Sequence, residues 1–201
     1  MGEPLLLLSS GLKLKRFPNC GSAHRAMDGL SDLIAAHGFT AGGVEAVHVR
    51  APVTHLANLM YEAPVDGLQA KFSLEYALAC ILLTGNAALA DFTDEAARRP
   101  EYAALYPRIH RHPVDKAEGE FPTEVEVVLT DGRRFETAVP WPVGSLARPF
   151  ADAQLWAKFD GCTAGLLPPA DLAVVRQALA DLQHLPRISA LTQPLADRFT
   201  S

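Results

Sequence analysis

The strongest structural signal in the sequence is a pair of β-type runs separated by two turn residues. Residues 123–130 and 133–139 are rich in β-branched side chains and flank Asp131-Gly132. An Asp-Gly pair with positive backbone dihedrals is typical of a type I′ β-hairpin. Residues 44–51 and 108–112 are predicted as further strands. Side chains alternate between the faces of a strand, which predicts a buried row on the first hairpin strand. This row is Val125, Val127 and Leu129.

Helical patterns surround this hairpin, so the predicted fold class is α+β. Apolar residues within 23–34 follow the helical period, with Ser22 as the cap and Gly38 as the stop. The run at 74–83 is apolar almost all round and is followed by Gly85. This pattern is typical of a helix that is buried on most sides.

A proline-rich segment marks a predicted domain boundary. Residues 140–149 contain three prolines and one glycine, which disfavour regular structure. Three helices are predicted beyond it, over residues 151–164, 169–182 and 188–196. We therefore predict a boundary within residues 140–149, with a small α+β domain that has a hairpin-containing sheet before it and an α-helical tail after it.

Charge and hydropathy exclude several classes of partner. The formal net charge is −5, and basic residues cluster only at 13–16, so no stripe is available to neutralise a run of phosphates. The apolar run at residues 4–8 is too short for a signal-peptide core or a membrane span. We expect a soluble, cytoplasmic protein that binds neither nucleic acid nor membrane.

Cysteine and histidine spacing predicts neither disulfides nor a metal site. The three cysteines, Cys20, Cys80 and Cys162, are odd in number and widely spaced, which favours a reducing compartment. His110 and His112 would share one face of a strand. Two ligands alone do not indicate zinc, so no metal is expected.

A basic segment stands directly ahead of the first predicted helix. Lys13, Lys15 and Arg16 precede His24, and Pro18 favours an extended conformation with both lysines on one face. The first amide groups of a helix lack intrahelical partners and attract anions. This predicts a carboxylate site with His24 as a proton donor. The alternative is a solvated basic strand ahead of an ordinary helix with an exposed histidine.

Three further residues are candidates for a site. Tyr76 lies in the first turn of the apolar helix, where a phenol either donates to a backbone carbonyl or projects into a cleft as a proton donor. Lys71 adds a cation or is an ordinary surface lysine. Cys20 has no neighbouring His-Asp arrangement, so a packed or polar role is favoured over a nucleophilic one.

Two ordered motifs resemble the MmgE/PrpD family. The first reads Lys-Arg-Phe-Pro-x-Cys-x-x-x-His from Lys15 to His24, and the second reads Ala-Lys-Phe-Ser-Leu-x-Tyr from Ala70 to Tyr76. The tail at residues 149–159 is also similar, so the likeness covers essentially the whole chain. The family includes 2-methylcitrate dehydratase, cis-aconitate decarboxylase and iminodisuccinate epimerase.

The resemblance implies a subunit with two domains and an active site between them. A large all-helical domain is built from both ends of the chain, and a smaller α+β domain is inserted into it. Residues 1–144 would form the inserted domain and residues 145–201 the returning helices. The N-terminal part of the helical domain is expected to be absent here, so the chain alone is expected to be an incomplete enzyme.

The resemblance also implies a function and its residues. Tyr76 and His24 are the expected catalytic residues, and Lys15, Lys71 and Cys20 the expected substrate-binding residues. The expected activity is that of a hydro-lyase on a small di- or tricarboxylate, as in 2-methylcitrate dehydratase, without a cofactor. Decarboxylase-like members have a histidine where this chain has Cys20, which disfavours decarboxylation.

Two alternatives remain open. An iminodisuccinate-type epimerase uses the same proton abstraction without loss of a leaving group. The non-enzymatic alternative is a stand-alone domain whose uncovered tail helices form an apolar patch. Such a patch predicts a homo-oligomer or a complementary N-terminal helical chain as partner.

Overall fold

The structure is a computed structural model that describes residues 12–117 and 119–199. The apolar run predicted at residues 4–8 lies outside the described residues. The chain divides into two compact units, Met1–Ala151 and Asp152–Ser201. The first unit mixes helices with a sheet and the second is helical, so the predicted α+β class is confirmed.

A mixed four-stranded sheet forms the centre of the described part of the first unit. Its strands are β1 (Val44–Pro52), β2 (Ile109–Val114), β3 (Thr123–Leu129) and β4 (Arg134–Val139). The strand order is β2-β1-β3-β4. β1 is parallel to β2 and antiparallel to β3, and β3 and β4 form the predicted antiparallel hairpin. The predicted row on β3 is buried.

The hairpin turn differs from the predicted type I′. A type I′ turn needs positive φ at both central residues. Between β3 and β4 only Gly132 has a positive φ, of 85°, and no described non-glycine residue has one. The Gly132 amide donates to Leu129 O at 2.9 Å, and the Leu129 amide donates to Arg133 O at 2.9 Å. Asp131 Oδ1 accepts from the Arg133 amide at 3.0 Å. The loop is therefore three residues long, with glycine in the left-handed position.

Helix α1 (His24–His37) begins differently from the prediction. A 3₁₀ turn at Gly21–Ala23 precedes it, and no side chain caps the α1 start. Ser22 is not the cap, because α1 begins at His24 and Ala23 is at the cap position. The Ser22 hydroxyl instead accepts from Asn58 Nδ2 at 3.1 Å. The predicted stop is confirmed, since Gly38 has φ 68° and its amide donates to Ile34 O.

Helix α1 packs against β3 and β4. Gly29 faces the sheet so closely that a Cβ atom there would lie 3.0 Å from Val125 Cγ2. A larger residue would push the helix outward, so this glycine sets the depth of α1 on the sheet. The start of α1 is thereby held beside the end of β4.

Short helices and one long buried helix complete the first unit. α4 (Leu74–Thr84) is buried over most of its length, as predicted; Ser73 caps its start and Gly85 (φ 72°) ends it. Ser73 Oγ accepts from the Tyr76 amide at 3.1 Å. The shorter helices are α2 (Val53–Asn58), α3 (Gly67–Ala70), α5 (Asp94–Ala97) and α6 (Pro100–Ala103).

The second unit consists of helices close to the predicted ranges. They are α7 (Asp152–Thr163), α8 (Pro169–Ala180) and α9 (Ser189–Phe199). The division of the chain at Ala151 lies slightly beyond the predicted boundary. Across residues 12–117 and 119–199, no helix has both the length and the apolar character needed to cross a membrane.

Candidate functional site

A cleft of about 400 Å³ opens in the first unit beside the start of α1. Its lining includes the cations Lys13, Lys15 and Arg25 and the histidines His24 and His55. No described lining residue carries a carboxylate. Because the whole chain has a formal net charge of −5, this local concentration of cations is a specific feature of the cleft and favours an anionic ligand.

Two connections fix the basic segment to the proline-rich segment that forms another wall. The Leu14 amide donates to Gly144 O at 2.9 Å. Arg16 forms an ion pair with the buried Asp28 at 2.8 Å, and Asp28 also accepts from the Val143 amide at 2.8 Å. Burial raises the pKa of Asp28, although the Val143 amide and Arg16 oppose that shift. Arg16 therefore has a structural role, and the two lysines remain to face the cleft.

The first family-like motif brings three predicted residues to this cleft. Lys15, Cys20 and His24 all line it. Lys15 Nζ donates to Asn19 O at 3.1 Å, which positions its charge over the segment before α1. His24 is 3% exposed and packs edge-on against Phe17, with ring centroids 5.5 Å apart. The substrate-binding and catalytic roles of these three residues stay predictions, but the fold does bring all three to one cleft.

Two residues of the cleft, Arg25 and His55, were not predicted from the sequence as site residues. Arg25 is buried, and its guanidinium donates to Phe121 O at 3.3 Å and Pro140 O at 3.4 Å. It also contacts His55, with Nη2 2.9 Å from Nδ1 and 3.4 Å from Nε2. Because a guanidinium can only donate, Nδ1 is the acceptor in the shorter contact. No sequence signal links Arg25 to His55, since they come together only because α2 packs against the 3₁₀ turn ahead of α1.

Tyr76 and Lys71 are not among the described residues that line the cleft. The Tyr76 side chain is wholly buried; its hydroxyl donates to Asp91 O, and its ring stacks on Tyr102 with centroids 4.9 Å apart. Burial raises the pKa of Tyr76 far above that of an exposed phenol. Lys71 contributes its backbone carbonyl, which accepts from the Cys20 amide at 2.9 Å. The roles predicted for Tyr76 and Lys71 receive no support from the cleft.

Comparison with known protein families identifies the chain. A sequence model of the MmgE/PrpD C-terminal domain matches residues 17–183. The chain belongs to the MmgE/PrpD family. The match crosses both units of this MmgE/PrpD domain and includes Cys20 and His24, whereas Lys13 and Lys15 lie just ahead of it. A search of curated proteins found no match.

The cleft of the MmgE/PrpD domain can do two things chemically. Its lysines can hold carboxylate groups by charge-assisted hydrogen bonds. Its two histidines can accept or donate protons. Both capacities suit a reaction at a carbon next to a carboxylate.

Proposed function

We propose that the cleft binds a small di- or tricarboxylate and forms part of a cytoplasmic hydro-lyase of the 2-methylcitrate dehydratase type. The observation that carries this proposal is the grouping of Lys13 and Lys15 with the start of α1 around one cleft. Two lysines and a helix start match the two or three carboxylates of such a substrate. The match to a C-terminal family domain supports a second, helical domain that closes the other side of the cleft.

Dehydration of such a substrate removes a proton from the carbon next to a carboxylate and expels the hydroxyl group as water. The C–H and C–O bonds break. The electrons of the C–H bond form the C=C bond, and those of the C–O bond leave with the hydroxyl oxygen. Negative charge grows on the adjacent carboxylate, where Lys15 and the start of α1 would stabilise it. His24 is the candidate to move a proton within this cleft. A neutral His55, accepting at Nδ1 from Arg25, would carry its proton on Nε2 and could hydrogen-bond the departing hydroxyl, which leaves as water with the proton that His24 takes from carbon.

Epimerisation of an iminodisuccinate-type substrate is a second candidate function. The observation that favours it is the presence of two histidines, His24 and His55, in one cleft. Inversion needs a base on one side of the carbon and an acid on the other, without loss of a leaving group. Assays of the chain together with its helical domain on 2-methylcitrate and on iminodisuccinate stereoisomers would separate the two, because only dehydration forms an alkene.

Binding of carboxylates to the full chain tests the shared part of both functions. We expect calorimetry to show that citrate binds more tightly than succinate and much more tightly than acetate. Lys15→Ala should weaken citrate binding about tenfold, since a hydrogen bond to a charged group contributes about 1.5–3 kcal/mol. Lys116→Ala removes the same charge at an exposed residue outside the cleft lining and should leave the affinity unchanged.

Two outcomes would count against this proposal. Equal citrate affinity for the Lys15→Ala variant and the parent chain would remove Lys15 from the site. Equal affinity of the parent for citrate and acetate would exclude a site built for several carboxylates.

A further inference from the structure

The sheet carries three histidines on two neighbouring strands. His48 lies on β1, and His110 and His112 lie two residues apart on β2, so their side chains share one face. His48 is in register with His110, and Arg50 with His112. This face is opposite the one that carries the buried Val47 and Val49. It takes no part in the cleft described above.

The rings of these histidines are in direct contact. His48 Nδ1 lies 3.0 Å from His112 Nε2. The ring of His110 stacks on that of His48, with centroids 4.8 Å apart and an interplanar angle of 22°. Imidazole nitrogens bind zinc at about 2.0–2.1 Å, so two ligands of one ion lie about 2.9–3.4 Å apart for angles of about 90–110°. The nitrogens of His48 and His112 already have this separation.

The contact between His48 and His112 favours neutral imidazole. A hydrogen bond between two imidazoles requires one neutral ring as acceptor, and neutral rings are the form that binds metals. Two of the carboxylates on this face pair with arginines. Glu126 pairs with Arg134 at 2.9 Å. Glu124 pairs with Arg50 at 2.7 Å.

We propose that His48 and His112 chelate one divalent transition-metal ion, of the class of Zn²⁺ or Ni²⁺, through Nδ1 and Nε2. No group of three or more metal-ligating side chains is arranged around a common point in the described residues, so the site is a two-histidine chelate completed by water. His110 orients the ring of His48 by stacking. Because β2 is an edge strand that pairs with β1, the ion links these two strands.

Titration of Ni²⁺ into the full chain at neutral pH tests this proposal. We expect one equivalent per chain by calorimetry. His48→Ala and His112→Ala should each lower the affinity by at least about tenfold, because even loss of a residue that only supports a ligand costs about 10–100-fold. His184→Ala removes an exposed histidine of the second unit and should keep the parent affinity. Citrate affinity should be unchanged in all three variants, which separates this site from the carboxylate cleft.

A spectroscopic measurement guards against a folding defect in the variants. Cu²⁺ bound to the parent should show magnetic coupling to two imidazole nitrogens, and His112→Gln should show fewer. Circular dichroism would establish that each variant keeps the parent fold. Parent affinity in both the His48 and His112 variants, or a parent chain that binds no Ni²⁺, would overturn the proposal.

Discussion

Tyr76 and Lys15 belong to the two family-like motifs but occupy opposite environments. Lys15 lines an open cleft, whereas Tyr76 has no exposed surface and donates its hydroxyl hydrogen to Asp91 O. A buried phenol keeps such a partner because an unpaired hydroxyl in the core costs free energy. In this fold the Tyr76 hydroxyl stabilises the packing of α4 against the segment that contains Asp91.

Replacement of Tyr76 by Phe tests that interpretation. Tyr76→Phe should lower the free energy of unfolding by about 1–2 kcal/mol, because the carbonyl of the half-buried Asp91 loses its donor. Denaturant unfolding measures this change. Tyr61→Phe, at a half-buried position, is the control and should stay within about 0.5 kcal/mol. Citrate affinity should be unchanged in Tyr76→Phe, and a large loss of affinity would restore Tyr76 to the site.

At the scale of elements, the cleft depends on two irregular segments as well as on helices α1 and α2. The basic segment and the proline-rich segment touch where Leu14 bonds to Gly144. Gly144 has φ 91°, and a Cβ atom there would lie 2.0 Å from Leu14 O. Only glycine allows both this backbone conformation and this approach. The wall of the cleft therefore depends on one glycine.

Gly144→Ala should be strongly destabilising, because alanine disfavours the positive φ of this residue and its Cβ atom would clash with Leu14 O. We expect a loss of about 2–4 kcal/mol in the free energy of unfolding, together with weaker citrate binding as Lys13 and Lys15 are displaced. Gly42→Ala is the matched control, since a Cβ atom there would meet nothing within 4 Å. It should change stability by less than about 1 kcal/mol. Thermal unfolding measures the stability and calorimetry the citrate affinity. A Gly144→Ala variant with the stability and citrate affinity of the parent chain would show that the cleft wall does not depend on this glycine.

At the scale of the whole molecule, the two units differ in how much they bury. The first unit has an extensive apolar core, whereas α7 buries no side chain and α8 buries Val175 and Ala178 among its described residues. Exposed apolar side chains recur along the second unit. They include Leu155, Leu166, Val174, Leu182 and Ile188. We propose that these helices pack against a second copy of the chain.

Light scattering after size-exclusion chromatography tests this packing. The chain alone should self-associate as its concentration rises. Val174→Glu places a charge at a 51% exposed apolar position of α8 and should reduce self-association. Leu68→Glu, at a 67% exposed position of α3, is the control and should not. A monomer at every concentration would contradict the proposed patch.

Local chemistry explains what could be predicted from the sequence. The hairpin, the buried helix α4 and the stops at Gly38 and Gly85 follow from periodicity and from glycine at left-handed positions. The grouping of Lys15, Cys20 and His24 was also predictable, because one short contiguous segment contains all three. The type of the hairpin turn was not, since the Asp131 side chain bonds the Arg133 amide and favours a longer loop.

Long-range packing decided the rest. The contact of Arg25 with His55 joins residues 30 apart in sequence, and that of His48 with His112 joins residues 64 apart. Neither pair has a local signature, because each depends on which strand or helix becomes a neighbour in the fold. The sequence by itself determined the hairpin, the longer helices α1 and α4, the helices of the second unit and the basic motif ahead of α1. The tertiary structure decided that Tyr76 lies in the core and that Arg25 and His55 join the cleft, because burial and side-chain proximity are set by topology.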